Sequence, residues 1–249
     1  MPTWTRASAT LTMTSPLGPD KLIPIALDAH EAMSQPFYFD VRAVSQAGVI
    51  DSDKLLNQPV CVTLQANGIP LRHFHGIVRS VAAEGPVRSA ASADDNQLYR
   101  LSLVPRLWFL GQTIDCRVYQ KQKTDDILRA LFQDAGLTDL ILVPSGTMRE
   151  YTVQFNESDL QFATRLMEEE GWYYFFGHEA GAHYLIIVNQ NSAFSDIPGA
   201  DLHLGGGDTD GTLLMDFNHA ATVARGKMKF KDYDPEKPTR CCRTNSRPR

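Results

Sequence analysis

Four histidines in this chain could bind a metal ion, and two of them lie in one short segment. His178 and His183 flank Glu179, a combination superficially similar to the HExxH motif of zinc proteases. That motif needs histidines four residues apart on a helix, so that both nitrogens reach one metal. Here the histidines are five residues apart and Gly181 interrupts them. The segment therefore favours a hairpin turn over a zinc site.

The other two histidines, His73 and His75, are two positions apart in an alternating segment. On a strand, both side chains would point to the same side of the sheet. Two ligands could begin a metal site, but the sequence shows no third ligand, and a polar strand face is the preferred interpretation. A metal-assisted hydrolase that uses His73, His75, His178 and His183 is kept as the alternative function.

The remaining candidate groups each lack a neighbour that their chemistry requires. Residues 208–211 have no acidic residue to complete a calcium loop, and the glycines at 205–207 lack the flanking strand and helix of a phosphate site. Asp125 with Asp126, and Glu168 to Glu170, are consecutive carboxylates on predicted helices, so their side chains point in different directions and do not converge on one substrate. No nucleophile elbow surrounds Ser145, Ser158 or Ser195. Trp108 and Phe109 are interpreted as core aromatic residues. We predict no catalytic, cofactor-binding or metal-binding residue, and therefore no enzyme.

Residues 1–120 contain several short runs in which apolar and polar positions alternate. This period is typical of half-buried strands, and Asn67 with Gly68 predicts a two-residue hairpin turn. Many short strands with polar turns favour an antiparallel, barrel-like body. Strand character returns within residues 212–231, and we expect these strands to complete the body.

Residues 121–190 predict an α/β insert with two helices and a hairpin. Thr124 is the predicted N-cap of the first helix, which Gly136 ends. Ser158 and Gln161 have the spacing of a capping box for the second helix, and Gly171 is the predicted C-terminal stop.

The strand before the second helix carries Tyr151, Val153 and Phe155 at alternate positions. Their alternation with polar neighbours predicts a half-buried strand. Residues 191–211 are interpreted as a glycine-rich loop, and residues 235–249 as a disordered basic tail. The predicted fold class is α+β and mainly β.

Composition excludes several classes of protein. The net charge is −5, although nine Lys or Arg stand against three Asp or Glu from Arg225 onward. An acidic remainder argues against a nucleic-acid groove, which needs clustered positive charge. No apolar run reaches the ~20 residues of a membrane helix, and the N-terminus shows no signal peptide, so we expect synthesis in the cytoplasm. Cys61 and Cys116 lie in predicted strands and are expected to be buried, whereas Cys241 and Cys242 lie in the polar tail.

Several motifs in order resemble the VgrG family, the spike proteins of bacterial type VI secretion. The motifs are Tyr151 and Gln154, Asn156-Glu157-Ser158-Asp159, Arg165-Leu166-Met167-Glu168-Glu169-Glu170-Gly171 and Tyr173-Tyr174-Phe175-Phe176. Earlier segments of the family's order include Phe74-His75-Gly76 and Pro105-Arg106-Leu107-Trp108. The resemblance runs from about Ala9 to about Asp234.

The resemblance implies a structural hub similar to the baseplate hub of contractile-tailed phages. In that family three identical chains form a ring that contacts the secretion tube protein and carries effectors, and the machine exports the assembly. A second barrel, a neck and a needle follow in the family, so we expect a C-terminally truncated member with weak or lost trimerisation. A stand-alone module that binds tube or effector proteins is the other alternative.

Overall fold

The computed structural model describes residues 10–45, 48–66, 68–86, 96–194, 203–204, 213–214, 221, 223, 228–233 and 241–246. The chain divides into two compact units, Met1–Phe194 and Ser195–Arg249. The first unit contains a β body and an insert. Among the described residues, no helix combines the length and the apolarity that crossing a bilayer would demand.

The body is a curled, fully antiparallel sheet of six strands in the order β1-β4-β5-β6-β3-β2. The strands are β1 (Leu11–Thr14), β2 (Leu22–His30), β3 (Tyr38–Ser45), β4 (Pro59–Ala66), β5 (Ile69–Pro86) and β6 (Gln97–Val104). The 3-10 helix Ser52–Lys54 precedes β4. Alternate residues of these strands, such as Phe39, Val41 and Leu101, are fully buried in one core. The antiparallel body that the alternation predicts is therefore confirmed.

The hairpin between β4 and β5 pairs Ala66 with Ile69, so residues 67 and 68 form its loop. Gly68 has a φ of +78°, which glycine adopts without the steric cost that other residues incur. Asn67 lies outside the described residues. The predicted two-residue turn accounts for this register.

The insert follows the 3-10 helix Arg106–Gln112. It contains β7 (Ile114–Lys123), α1 (Thr124–Asp134), β8 (Leu140–Leu142), β9 (Met148–Ser158), α2 (Asp159–Glu170), β10 (Tyr173–His178) and β11 (His183–Val188). Strands β7 and β9 form a two-stranded antiparallel ribbon, and β10, β11 and β8 form a three-stranded sheet. The two helices pack between these sheets through a second core that includes Leu128, Phe162 and Leu166. A 3-10 turn, Asn191–Ala193, follows β11.

Helix α2 begins and ends as its sequence predicts. The Ser158 hydroxyl accepts the backbone N–H of Gln161, and the Gln161 side chain accepts the backbone N–H of Ser158. Gly171 ends the helix in the left-handed region at φ 72°. The cap predicted for α1 is wrong, because Lys123 occupies the N-cap position and the Thr124 hydroxyl donates to Glu170 Oε1 at 2.5 Å. The Thr124 hydroxyl, which was expected to cap α1, is thus hydrogen-bonded to the Glu170 carboxylate of α2 instead.

Strand β9 is half-buried, as its alternation predicts, but its polar face rather than its apolar face points inward. Tyr151 and Phe155 are 62% and 78% exposed, whereas Thr152 and Gln154 are buried against the insert. The Gln154 amide donates to Asp159 Oδ1 at 2.7 Å and to the Glu157 carbonyl at 3.1 Å. A buried amide with these partners holds the polar face inward, and the apolar face is left outside. Cys116, across the ribbon from Phe155, is therefore exposed rather than buried, whereas Cys61 is buried as expected.

The second unit contains four described strands. Strand β12 (His203–Leu204) pairs in parallel with β13 (Leu213–Leu214), and β14 (Met228–Tyr233) pairs antiparallel with β15 (Cys241–Ser246). A disordered tail was expected at 235–249, yet Cys241–Ser246 forms a strand because its backbone pairs with β14. Most of the loop at 191–211, including the glycines at 205–207, lies outside the described residues. Completion of the body by strands within 212–231 stays a prediction.

Candidate functional site: a histidine junction between body and insert

Three of the four candidate histidines meet where the insert packs on the body. His75 comes from β5, while His178 and His183 face each other across the β10–β11 hairpin. His75 Nδ1 and His183 Nδ1 are 2.9 Å apart, and both side chains are buried. His73 does not join them, because its Nδ1 lies 3.0 Å from the Thr63 hydroxyl on β4. We call His75, His178 and His183 the histidine junction.

Backbone contacts determine which nitrogen of each buried ring carries a proton. The Arg106 backbone N–H donates to His183 Nε2 at 3.1 Å, so this nitrogen carries no proton. A neutral His183 then holds its proton on Nδ1 and donates it to His75 Nδ1. His75 in turn holds its own proton on Nε2. The pair is compatible with two neutral rings and not with two imidazolium ions.

The electrostatic surroundings agree with that assignment. Burial lowers the pKa of His75 to about 4, helped by the nearby His178 and opposed by the Asp139 carboxylate. Burial also lowers the pKa of His183 to about 3, and the neighbouring His75 and His178 add to the effect. Both rings are therefore neutral at physiological pH.

His178 connects the junction to a charged pair on the body. Its Nδ1 lies 3.3 Å from the His75 backbone nitrogen and 3.1 Å from the His75 carbonyl oxygen. Its Nε2 is 2.9 Å from Glu31 Oε1, although the angle is not that of a hydrogen bond. Glu31 is also paired with Arg72. Burial opposes ionisation of Glu31, but the contacts with His178 and Arg72 prevail and lower its pKa.

An open cleft of about 410 Å³ lies beside His178. Its walls are mainly apolar and aromatic, with the Glu31–Arg72 pair and His73 as the polar groups; the apolar walls come from Met33, Phe37, Phe175, Phe176 and Phe194. The cleft therefore combines an aromatic surface with one neutralised ion pair, and its described lining residues include no Ser, Thr, Cys or Lys.

The geometry does not assemble the zinc-protease-like set. Glu179 accepts the Tyr184 hydroxyl at 3.0 Å, a contact on the exposed side of the hairpin. In the part of the chain that the structure describes, no three His, Cys, Asp or Glu side chains are arranged to hold a metal ion. The hydrolase alternative finds no support in this arrangement.

The consecutive carboxylates of α2 are partners of arginines. Arg149 on β9 contacts Glu169 Oε2 at 2.5 Å and Glu170 Oε1 at 3.2 Å, and its Nε donates to the Thr124 hydroxyl at 2.7 Å. Burial opposes the charge on Glu170, but hydrogen bonds from Thr124 and Thr147 and the contact with Arg149 lower its pKa. Negative charge at the C-terminus of α2 is unfavourable for the helix dipole, and Arg149 on β9 neutralises it.

Replacing Arg149 with methionine is expected to lower the free energy of unfolding by about 1–3 kcal/mol, because it leaves the largely buried Glu170 without its cation. Urea denaturation at neutral pH measures this change. Arg129→Met is the matched control, since Arg129 is exposed and makes one 3.2 Å bond to the Leu142 carbonyl. Equal losses in the two variants would contradict the assigned role of Arg149.

The other candidates have structural partners. Asp125 accepts the Gly146 N–H at 2.9 Å, and Ser158 caps α2. Trp108 and Phe109 are half-buried, with the Arg79 guanidinium 5.5 Å from the Trp108 ring centre. Ser195 and residues 205–211 lie outside the described residues. Sequence reasoning missed Glu31 and Arg72, because only the curl of the sheet brings the end of β2 close to β5, although two strands separate them in the order of the sheet.

A curled antiparallel sheet with an α/β insert defines a mainly β fold. A family model described as phage tail baseplate hub (GPD) matches residues 30–248. The chain belongs to this family. The resemblance to VgrG proteins is likewise confirmed.

Two curated relatives are named VgrG proteins. The chain is 34% identical over 232 residues to the type VI secretion system spike protein VgrG1c of Pseudomonas aeruginosa, covering 90% of this chain and 31% of the relative. It is 30% identical to the actin cross-linking toxin VgrG1 of Vibrio cholerae, covering 81% of this chain and 18% of that protein. The chain thus spans less than a third of the length of these relatives.

A solved structure has the same fold. The Escherichia coli protein c3393, described as a type VI secretion component with similarity to the T4 tail proteins gp27 and gp5, aligns with a TM-score of 0.64. The alignment covers 76% of this chain and 51% of c3393, at 22% identity. At that identity the likeness establishes the fold alone.

Proposed function

We propose that this chain is a structural hub component of a contractile, type VI-like secretion machine and that it catalyses no reaction. The observation that carries the proposal is the match of the baseplate hub family across residues 30–248. The 34% identity with a named spike protein supports the same role. His75 and His183 are buried in a packing contact, and Glu169 and Glu170 are paired with Arg149, which fits a scaffold.

The proposed partners follow from the role of a hub. Three identical chains would surround one axis, because a ring is the arrangement in which each copy makes the same contacts. The ring would contact the secretion tube protein and carry effectors, and the machine would export it after synthesis in the cytoplasm. The net charge of −5 does not favour nucleic acid as a partner.

The test is secretion in the bacterium that encodes the chain. Deleting the coding sequence is expected to stop release of the tube protein into the medium, and complementation is expected to restore it. Complementation with His73→Gln is expected to restore release fully, because a scaffold does not need this half-buried side chain. Unchanged release after the deletion would overturn the hub role. Release that is restored by the wild-type gene but not by His73→Gln would favour the hydrolase.

A further inference from the structure

An open groove of about 340 Å³ lies between helix α2 and the segment that joins β2 to β3. One wall is a single face of α2, formed by Leu160, Gln161, Thr164, Arg165 and Glu168. Ser34 and Pro36 form the other wall, and Tyr174 on β10 completes the lining. A bond of 2.8 Å from the Ser34 N–H to the Tyr174 carbonyl joins the second wall to the insert. We call this space the α2 groove.

Tyr174 carries a buried hydroxyl that lacks a hydrogen-bond partner. The residue is 2% exposed, and its ring packs in the core of the insert. Across the residues that the structure describes, no donor or acceptor contacts this hydroxyl. Burial raises the pKa of Tyr174, and the nearby Glu168 carboxylate adds to the effect, so the hydroxyl keeps its proton at neutral pH. Leaving a buried hydroxyl unpaired costs free energy, and the α2 groove is where a partner can enter.

Two further oxygen groups of the α2 groove have no partner in the described part of the chain. Glu168 is exposed and forms no ion pair there. Its neighbours Glu169 and Glu170, in contrast, both contact Arg149. The Ser34 hydroxyl on the opposite wall is also unpaired within the described residues. With the Tyr174 hydroxyl, three groups that can accept hydrogen bonds therefore line the groove, and one of them is negatively charged.

Arg165, the cation in the described lining, does not cancel this charge. Its Nη2 contacts Glu157 Oε1 at 2.6 Å, and its Nη1 contacts Glu169 Oε1 at 3.2 Å. Arg165 is thus already paired with two carboxylates. The charge of Glu168 remains uncompensated, so the α2 groove attracts a cation rather than an anion.

The chemistry of the lining selects the class of cation. A metal ion needs several converging ligands, and the described residues hold no group of three His, Cys, Asp or Glu side chains arranged for one. A guanidinium group presents a flat fork that suits the two oxygens of one carboxylate. An ammonium group has three N–H donors on one compact charge, which suits three separate oxygen groups. Pro36 and Leu160 add apolar surface for an alkyl chain.

We propose that the α2 groove binds a primary ammonium group on an unbranched alkyl chain, as in a lysine side chain of a partner protein or a free alkylamine. Glu168 supplies the negative charge, and the hydroxyls of Tyr174 and Ser34 accept the other N–H donors. The methylene groups of the ligand lie along Leu160 and Pro36. The site is independent of the proposed hub role.

An NMR titration with n-butylammonium chloride at constant ionic strength tests the proposal. The backbone amide signals of residues 160–168 and 174 are expected to shift and saturate, whereas sodium chloride should not produce this. Glu168→Gln is expected to weaken binding about fivefold, because it removes the charge that attracts the ligand. Tyr174→Phe is expected to weaken it about threefold, because it removes one acceptor.

Tyr174→Phe also separates a role in binding from a role in folding. Because the hydroxyl has no partner within the described chain, its removal should leave the urea midpoint of unfolding unchanged or raised. A lowered midpoint would mean that the hydroxyl serves the fold, and it would overturn the place of Tyr174 in the site.

Glu150→Gln and Tyr184→Phe are the matched controls. They make the same chemical changes outside the groove, at an exposed carboxylate of β9 and at a hydroxyl that bonds to Glu179. Both variants should bind n-butylammonium as the wild type does. Absence of saturable shifts in the wild type, or equal affinities of the groove variants and the controls, would overturn the proposal.

Two further ligands distinguish the possible sources of the ammonium group. N-acetyl-lysine N-methylamide represents a lysine of a protein, and cadaverine represents a free alkylamine. Tighter binding of either one agrees with the proposal and identifies the source. Tighter binding of N-acetyl-arginine N-methylamide than of both would overturn the choice of an ammonium group.

Discussion

Lowering the pH from 7 to about 4 is expected to destabilise this protein by about 6 kcal/mol through the histidine junction alone. An unfolded histidine has a pKa near 6.5. The folded pKa values of His75 and His183 are about 4 and about 3. Between pH 6.5 and the folded pKa values, the unfolded chain binds protons at these two histidines and the folded chain does not, so stability falls as the pH falls. Above pH 6.5 this contribution is complete and constant.

Burial of the two rings determines the sign of the effect, and the charged groups around the pair modify its size. Arg106 and His178 oppose positive charge on the rings, whereas the carboxylate of Asp139 favours it on His75. Glu31 is already engaged by His178 and Arg72. Two protonated rings would place two N–H donors against each other across the present 2.9 Å contact. The pair must therefore separate before both rings are charged.

Urea denaturation at a series of pH values measures this dependence. A His75→Gln, His183→Gln variant is expected to start less stable at pH 7 and to lose much less stability on acidification. His30→Gln, at an exposed position on β2, should keep the wild-type slope. If the double variant and the wild type showed the same dependence on pH, the junction would not be its source.

Replacing Gly146 with alanine is expected to cost about 2–3 kcal/mol of folding stability. A Cβ atom at this position would lie 2.6 Å from Thr124 Cβ, 2.9 Å from the Thr124 nitrogen and 3.0 Å from the Asp125 nitrogen. Two of these atoms belong to the backbone at the start of α1, which cannot turn away as a flexible side chain could. The Gly146 N–H also donates to Asp125 Oδ1, so a shift would break that bond as well.

Gly181→Ala is the matched control for this change. Gly181 lies in the β10–β11 turn, and its added Cβ would meet no atom within 4 Å. Thermal and urea unfolding should therefore leave Gly181→Ala close to the wild type while Gly146→Ala unfolds much earlier. Similar losses in both variants would mean that the close approach of Gly146 to α1 does not limit stability.

Local patterns predict those parts of the fold whose partners are close in sequence. The capping box of Ser158 and Gln161 and the stop at Gly171 join residues within one helix, and all are confirmed. The 67–68 turn is equally local. In each case the partner lies within a few residues, so the amino-acid types at fixed spacing are sufficient.

The features that sequence reasoning missed depend on contacts between residues that are far apart in the sequence. The Thr124 hydroxyl bonds to Glu170, 46 positions along the chain, instead of capping its own helix. His75 meets His183 across 108 positions, and only the packing of hairpin on body brings them together. Tyr151 and Phe155 follow the alternation of a strand, but alternation alone does not say which side faces the core. Here the bonds of Gln154 decide it.

Phe176 on β10 belongs to two hydrophobic cores at once. It packs against the core of the insert and against that of the β body, and its ring meets Phe37 edge-on at a centroid distance of 4.9 Å. A backbone bond of 2.8 Å from Ser34 N–H to the Tyr174 carbonyl joins the same two parts. Body and insert therefore share one cooperative unit, and neither can melt without exposing part of the other to water.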